Sequence, residues 1–329
     1  MSTLARVSAP LPEPVVVVAS EQDAPAMVEV VHAAFGDRTA VEPPSTAASE
    51  TVGSVAEALR QGGGIYASVG GRPAGAILVG STSTGVATFA RVSVHPDFQR
   101  HGIASAMVAA AEDLAALQGH ERVDLFAREE FAELITFWNH RGYAIARLAP
   151  HGVVLSKRLP HAVSLPDADA TRALGRRLAD VVRPGDLVVL SGELGAGKTT
   201  LTQGLGEGLG VGGPVISPTF VLSRVHPTPA GRPTLVHVDA YRLSGPGELD
   251  DLDLDASAPT SVTVVEWGRG LVEQSWDDRL EIDLVHDPDG GRIALLRPVG
   301  ERWARTDLAV ADPDTSDPTA GAYAEAARA

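Results

Sequence analysis

The chain has 329 residues, 44% of them hydrophobic and 21% charged, which is enough for two globular cores; with no cysteine it has no disulfide, thiol nucleophile or thiolate metal site. Its net charge of −15 is uneven, with 16 acids and 12 bases in residues 1–160 against 26 and 15 in residues 161–329, so broad attraction to nucleic acid is excluded and any RNA would be held by a partner. No apolar run approaches the ~18 residues of a membrane helix and the start lacks a basic-then-apolar signal, so a cytoplasmic protein is expected. In chain order, residues 1–14 read as a loose leader, Val15–Ala19 as a strand, and Asp23–Phe35 as a helix with Met27, Val30, Val31 and Ala34 on one face. Glu42–Ser54, rich in Pro, Ser and Thr, reads as a flexible loop. Strands follow at Ile65–Val69 and Ala74–Val79, joined by a Gly70-Gly71-Arg72-Pro73 turn, and a third at Gly85–Val94. A helix at Gly102–Leu117, a strand at Arg122–Ala127, a helix around Glu130–Asn139 and strands flanking Pro150 complete a mixed α/β domain over residues 15–159.

Pro160–Pro166 reads as a short linker to a second α/β domain, residues 162–300. It opens with a helix, Ala168–Val182, and a strand, Asp186–Leu190. Leu190–Thr200 then reads L-S-G-E-L-G-A-G-K-T-T, which satisfies G-x-x-x-x-G-K-[ST] and leads into a helix over Thr199–Leu209. Glycines let successive amides turn inward around a polyphosphate, the lysine reaches its terminal phosphates, and the threonine hydroxyl takes magnesium, so ATP or GTP is expected. Lys198 is one of only two lysines beside 25 arginines, and a plain strand-to-helix turn does not explain a point-charge lysine in such a chain. Further strands are expected at Thr234–Val238, Ser261–Glu266, Leu280–Val285 and Arg292–Arg297, and His226–Pro233 reads as a proline-rich loop. Residues 301–329, rich in Ala, Asp, Thr and Pro, read as a disordered tail. A phosphate loop needs a second acidic magnesium ligand at a strand end. Glu266 and Asp239 both qualify, although either residue also suits a plain cap on the following turn.

G-E-L-G-A-G-K-T-T from Gly192, S-P-T-F from Ser217, H-V-D-A-Y-R-L from His237, E-L from Glu248 and V-E-W from Val265 together resemble the TsaE family. These are the small ATPase subunits of the bacterial machinery that places threonylcarbamoyl on the adenosine next to the anticodon. The resemblance implies that Lys198 and the amides of Glu193, Leu194, Gly195, Ala196, Gly197, Lys198, Thr199 and Thr200 hold ATP phosphates. It further implies that Thr199 and Glu266 ligate Mg2+, that Asp239 orients water or supports the metal, and that Thr219 senses the terminal phosphate. Trp267 is expected beside the site or as a plain core aromatic, and Thr171 and Arg292 fall where the family touches nucleotide. The implied partners are the TsaD and TsaB proteins, with tRNA reached only through them. ATP is favoured over GTP by the resemblance, and there is no N-K-x-D guanine motif.

In the first domain, Val92–Ala104 reads V-S-V-H-P-D-F-Q-R-H-G-I-A: a strand, a proline turn, and a Q-x-x-G-x-A stretch opening a helix whose amides suit a pyrophosphate. The plain alternative is a turn with a helix cap. With F-W-N-H-R-G-Y at Phe137–Tyr143, the order of elements resembles the GNAT acetyltransferases. That implies main-chain pairing of Val92 and Val94 with the pantetheine arm of acetyl-CoA, and pyrophosphate on the amides of Arg100, His101, Gly102, Ile103, Ala104 and Ser105. It also implies attack of an amine on the thioester, with a base taking the proton and an acid serving the thiolate. Two departures bear on activity: Trp138 stands where many members have the acidic Tyr, and Phe131 where an Asn is common. Tyr143 is expected to pack in the core, and His95 and Glu129 are the candidate bases. The expected whole is a P-loop ATPase supporting tRNA threonylcarbamoylation, fused to an acetyltransferase of unassigned acceptor. The alternative is an amine or protein N-terminal acetyltransferase whose P-loop domain is a nucleotide-gated binding module.

Overall fold

The computed structural model describes residues 12–37, 41–243, 245–252, 254–273, 275–287 and 290–308. Contacts divide the chain into two compact units, Met1–Leu159 and Pro160–Ala329. The expected leader up to residue 11 and the expected tail from residue 309 lie outside the described residues.

The first unit runs β1 (Pro14–Val18), α1 (Ala24–Gly36), α2 (Val52–Gly62), β2 (Gly64–Val69), β3 (Arg72–Ser83), β4 (Val86–Val94), α3 (Ile103–Leu117), β5 (Arg122–Arg128), α4 (Ala132–Asn139), β6 (Ala144–Ala149) and β7 (Gly152–Arg158). Its seven strands form one sheet in the order β1-β2-β3-β4-β5-β7-β6. The apolar spacing of α1 does what the sequence indicates: Met27, Val30, Val31 and Ala34 are buried, packed with Val55 and Leu59 of α2. The stretch expected to be a loop, Glu42–Ser54, instead holds a 3-10 turn at Thr46–Ser49 and the start of α2. There the Thr51 hydroxyl accepts from the Ser54 amide and the Ser54 hydroxyl accepts from the Thr51 amide, a reciprocal cap that looks like loop composition in a linear reading.

The second unit runs β8 (His161–Leu165), α5 (Ala168–Leu178), β9 (Leu187–Gly192), α6 (Lys198–Leu209), β10 (Ser223–His226), β11 (Thr234–Asp239), α7 (Pro246–Asp250), α8 (Leu254–Ser257), β12 (Ser261–Glu266), β13 (Arg279–His286), β14 (Arg292–Val299) and α9 (Gly300–Ala304). The sheet order is β10-β11-β12-β9-β13-β14-β8, with β11, β12, β9 and β13 mutually parallel and the three outer strands antiparallel to their neighbours. Strand β9 is central and apolar on both sides: Val188 and Leu190 enter one core cluster, Leu187 and Val189 another. Helix α6 is glycine-rich because it lies tight against α5; a Cβ at Gly204 would stand 2.0 Å from the Arg172 carbonyl oxygen.

Two boundaries differ from expectation. The supposed linker Pro160–Pro166 contains β8, an edge strand paired with β14, whose Val163 and Leu165 are buried; its flanking prolines mimic a linker. The supposed tail does not begin at residue 301. Residues 300–304 form α9, Trp303 is fully buried in the main core cluster, and Arg302 donates to Asp186 (2.8 Å) and to the Val181 carbonyl (2.9 Å). The polar composition downstream masks one anchoring tryptophan. Trp303→Ala is therefore expected to lower the stability of this unit by about 3–5 kcal/mol, seen as an earlier urea midpoint. A midpoint equal to that of the native chain would return these residues to the tail.

Candidate functional site

In the second unit the loop between β9 and α6 turns through left-handed backbone. Gly197 is the N-cap of α6 at φ +106, a conformation closed to ordinary side chains, and no side chain caps the helix. The first amides of α6, at Lys198, Thr199 and Thr200, therefore have no acceptor within the helix, and the positive end of its dipole faces the loop. That set of converging donors suits a polyphosphate. Glu193, Leu194 and Gly195 form the exposed tip, with Ala196 buried behind them. Thr171 lies alongside: its hydroxyl donates to the Asp167 carbonyl at 3.0 Å, and its methyl is 3.5 Å from where a Cβ on Gly197 would stand. Arg292 is at the start of β14, its guanidinium on the Gly291 carbonyl, and it pairs across the sheet with His286, whose Nε2 is 3.9 Å from Glu193 Oε2 at the loop tip.

Lys198 is buried. Its ammonium donates to the carbonyls of Gly192 (2.8 Å) and Glu193 (2.9 Å) and lies 3.7 Å from the centre of the Trp267 ring. Burial pulls its pKa below the ordinary lysine value, while the carboxylates of Glu266 and Asp239 pull it back. Trp267, itself left-handed at φ 62, also meets Tyr241 with ring centres 5.2 Å apart.

Parallel register brings the acids to this loop. Asp239 pairs with Glu266 across β11 and β12, and Glu266 pairs with Leu190 across β12 and β9, so both carboxylates stand at the carboxyl edge from which the loop departs. The Thr199 hydroxyl donates to Glu266 at 3.0 Å (Oε1) and 3.3 Å (Oε2). Asp239 Oδ2 accepts from Thr219 (2.6 Å) and Ser217 (3.4 Å), and its Oδ1 accepts from the Tyr241 amide (3.1 Å). The S-P-T-F segment is thereby tied to one carboxylate and the loop helix to the other. A hydroxyl beside a carboxylate is a hard-oxygen pair suited to magnesium, which completes its shell with phosphate and water. Among the described residues no group of three or more His, Asp and Glu side chains is arranged to enclose a cation.

Two participants were not singled out from the sequence. Ser217 joins Thr219 on Asp239, and His237 places Nε2 2.8 Å from Glu266 Oε1 while wholly buried. The signal for His237 was present: alternation along T-L-V-H-V-D puts it on the same face of β11 as Leu235 and Asp239.

In the first unit, β4 and β5 pair only from Val86–Phe89 to Arg122–Leu125; beyond that β5 continues on β7 while β4 bends away past a register shift with β3 and a left-handed Arg91. The main chain of Val92 and Val94 thus keeps one edge unpaired with β5, a place where an extended amide-bearing arm can add as a strand would. Just beyond, Arg100 and Gly102 are left-handed, and Gly102 is the N-cap of α3 with no side-chain cap. Arg100, His101, Gly102 and Ser105 are exposed there, Ile103 is buried and Ala104 is intermediate. A cavity of about 400 Å³ adjoins this helix start, lined in part by Ser105, His140 and Arg141, and Arg141 hydrogen-bonds the Ser105 hydroxyl.

The candidate acids and bases of this unit are mostly committed elsewhere. Trp138 is buried edge-on to Phe137 and Tyr143, and Phe131 occupies the N-cap position of α4. Tyr143 is a core residue whose hydroxyl donates to Glu112 at 3.0 Å, and Glu112 also receives Lys157 at 2.8 and 2.9 Å. Burial, followed by the Glu112 carboxylate, raises the Tyr143 pKa far above the tyrosine value. This phenol is buried and committed to Glu112. His95 accepts from the Asp97 amide (3.3 Å), and Glu129 is exposed.

Comparison with known proteins adds two family matches. The model of the threonylcarbamoyl adenosine biosynthesis protein TsaE matches residues 165–294, and that of the acetyltransferase (GNAT) family matches residues 33–143. A Streptomyces coelicolor tRNA threonylcarbamoyladenosine biosynthesis protein TsaE is 60% identical, covering 42% of this chain and 97% of its own length. The Bacillus subtilis protein of the same name is 38% identical over 41% of this chain and 84% of that protein. Among solved structures, the PaiA N-acetyltransferase from Thermoplasma acidophilum in complex with coenzyme A aligns with 44% of this chain and 99% of its own, at 13% identity and TM-score 0.40. With a relative this similar matched over nearly its whole length, the chain belongs to the TsaE family, and a domain matching the GNAT model precedes that part of it.

Proposed function

We propose that the second domain is a magnesium-dependent ATPase that serves tRNA threonylcarbamoyladenosine synthesis in the cytoplasm together with TsaD and TsaB proteins. The observation that carries this reading is the Thr199–Glu266 hydrogen bond at the mouth of the glycine loop, in a chain of the TsaE family. The amides of Glu193 to Thr200 and the Lys198 ammonium hold the phosphates; Thr199 and Glu266 hold the metal. Bound magnesium supplies charge neutralisation on the phosphate oxygens. Asp239, already the acceptor for Thr219, orients a water and passes the state of the terminal phosphate to Ser217–Phe220. Phe220 is 86% exposed and Tyr241 65% exposed, so this segment presents apolar surface beside the site. The acidity of this domain fits a subunit whose partners hold the tRNA.

The first domain, in this reading, binds acetyl-CoA in the gap between β4 and β5 and transfers acetyl to an amine of unassigned identity. The splayed strands and the uncapped start of α3 support coenzyme binding. Trp138 and the committed Tyr143 remove the usual phenolic acid, so the thiolate leaves through solvent or through a group the acceptor brings.

Three outcomes are expected. Lys198→Ala loses at least about 10- to 100-fold in affinity for a fluorescent ATP analogue, the scale of a charge-assisted contact, while acetyl-CoA binding measured by calorimetry is unchanged. Cells depleted of their own TsaE recover threonylcarbamoyladenosine in tRNA when this chain is expressed and do not with the Lys198→Ala chain; no recovery by a soluble native chain would defeat the proposal. Tyr143→Phe leaves acetyl-CoA affinity within about twofold and costs about 1 kcal/mol of stability, the value of one hydrogen bond; a collapse of acetyl transfer with intact binding would give Tyr143 a part in the chemistry instead of the core.

A further inference from the structure

Strands β11 and β12 each send an alternating set of side chains to the face that packs against α6: Leu235, His237 and Asp239 from one, Val262, Val264 and Glu266 from the other. The apolar members fill the core beneath the loop helix, and the acids at the strand ends meet the nucleotide loop. His237 lies between these regimes. It is 0% exposed at a position where an aliphatic side chain would continue the stripe begun by Leu235. Its Nδ1 is buried without a hydrogen-bond partner, as is Nε2 of His226 on the neighbouring strand, whose ring centre is 6.4 Å away. A buried nitrogen left without a partner is destabilising relative to an apolar replacement. A position that carries this cost in a central strand points to a use beyond packing.

That use is visible at its other nitrogen. An ionised carboxylate only accepts, so the 2.8 Å contact between His237 Nε2 and Glu266 Oε1 places the imidazole proton on Nε2 and leaves Nδ1 as the acceptor. Glu266 Oε1 then receives both His237 and, at 3.0 Å, Thr199, while Oε2 has only the longer 3.3 Å contact to Thr199. The carboxylate is fixed in rotation, with Oε2 the freer oxygen. We infer that His237 is a positioning residue for the magnesium site: its Nε2–H holds the Glu266 carboxylate so that the freer oxygen is presented, beside the Thr199 hydroxyl, to a divalent cation. This rests on the magnesium–nucleotide reading above. Outer hydrogen bonds of this kind commonly change metal affinity about 10- to 100-fold when removed.

The test measures binding of N-methylanthraniloyl-ATP by the full chain over a range of Mg2+ concentrations and again in EDTA, with folding of each variant checked by circular dichroism and thermal unfolding. His237→Leu is expected to raise the Mg2+ concentration for half-saturation about 10- to 100-fold, with affinity in EDTA unchanged. His237→Gln, whose amide nitrogen reaches the place of Nε2, restores most of the native Mg2+ response; His237→Asn, whose nitrogen takes the place of Nδ1, does not. On a Glu266→Ala background, His237→Leu adds less than about a twofold change, as expected when two residues act through one interaction. A native Mg2+ response in His237→Leu, or rescue by Asn as complete as by Gln, overturns the inference while leaving the ATPase reading intact, provided Lys198→Ala still weakens nucleotide binding. A native chain that binds no nucleotide at any Mg2+ concentration overturns both.

Discussion

The parallel register of β11, β12 and β9 is the constraint on which the candidate site at the carboxyl edge depends. It sets Asp239, Glu266 and Leu190 in one row, so the two carboxylates arrive where the glycine loop leaves the sheet. Sliding β12 by one residue would turn Glu266 to the opposite face and bring Val265 to the loop instead. The register is held by burial on both faces: Val262 and Val264 pack into one core and Val265 into the other, so a slip would exchange the two sets. The Thr199–Glu266 and Thr219–Asp239 bonds are consequences of that pairing and do not create it.

The two domains reach the same electrostatic device by different routes. In each, a helix begins after a left-handed glycine, Gly102 before α3 and Gly197 before α6, with no side chain capping its first amides. Each helix start follows a strand of the central sheet, β4 in one domain and β9 in the other. In the first domain the opening comes from β4 and β5 parting after Phe89; in the second it comes from the carboxyl edge of a continuous parallel sheet. Phosphate-bearing ligands suit both because a free helix N-terminus carries partial positive charge and directional donors without a buried side-chain cation.

Lys198 shows how the second domain adds a full charge to this device. The ammonium is held by two loop carbonyls and the Trp267 face; burial lowers its pKa, and the nearby carboxylates of Glu266 and Asp239 act in the opposite sense. The first domain uses its other buried charges differently. Glu112 of α3 accepts from Lys157 of β7 and from Tyr143 just before β6, which commits the phenol to a structural hydrogen bond.

The sequence by itself determined the glycine loop, its strand and helix, the apolar face of α1 and the order of most elements, because each of these depends on spacing within a few residues. The same locality made Glu266 and Asp239 legible as strand-terminal acids. The family resemblance had already set Glu266 beside Thr199, but only the tertiary structure decided that Asp239 meets Thr219, since that follows from strand register and from how Ser217–Phe220 is placed in space. It also decided that His161–Leu165 is an edge strand and that Trp303 belongs to the core, where local composition pointed to a linker and a tail. His237 was readable as an oddity in an apolar strand, but its partner stands on another strand. Tyr143 likewise became a core residue only when Glu112 and Lys157 were brought beside it, because hydrogen bonding and desolvation depend on neighbours in space, which linear order does not specify.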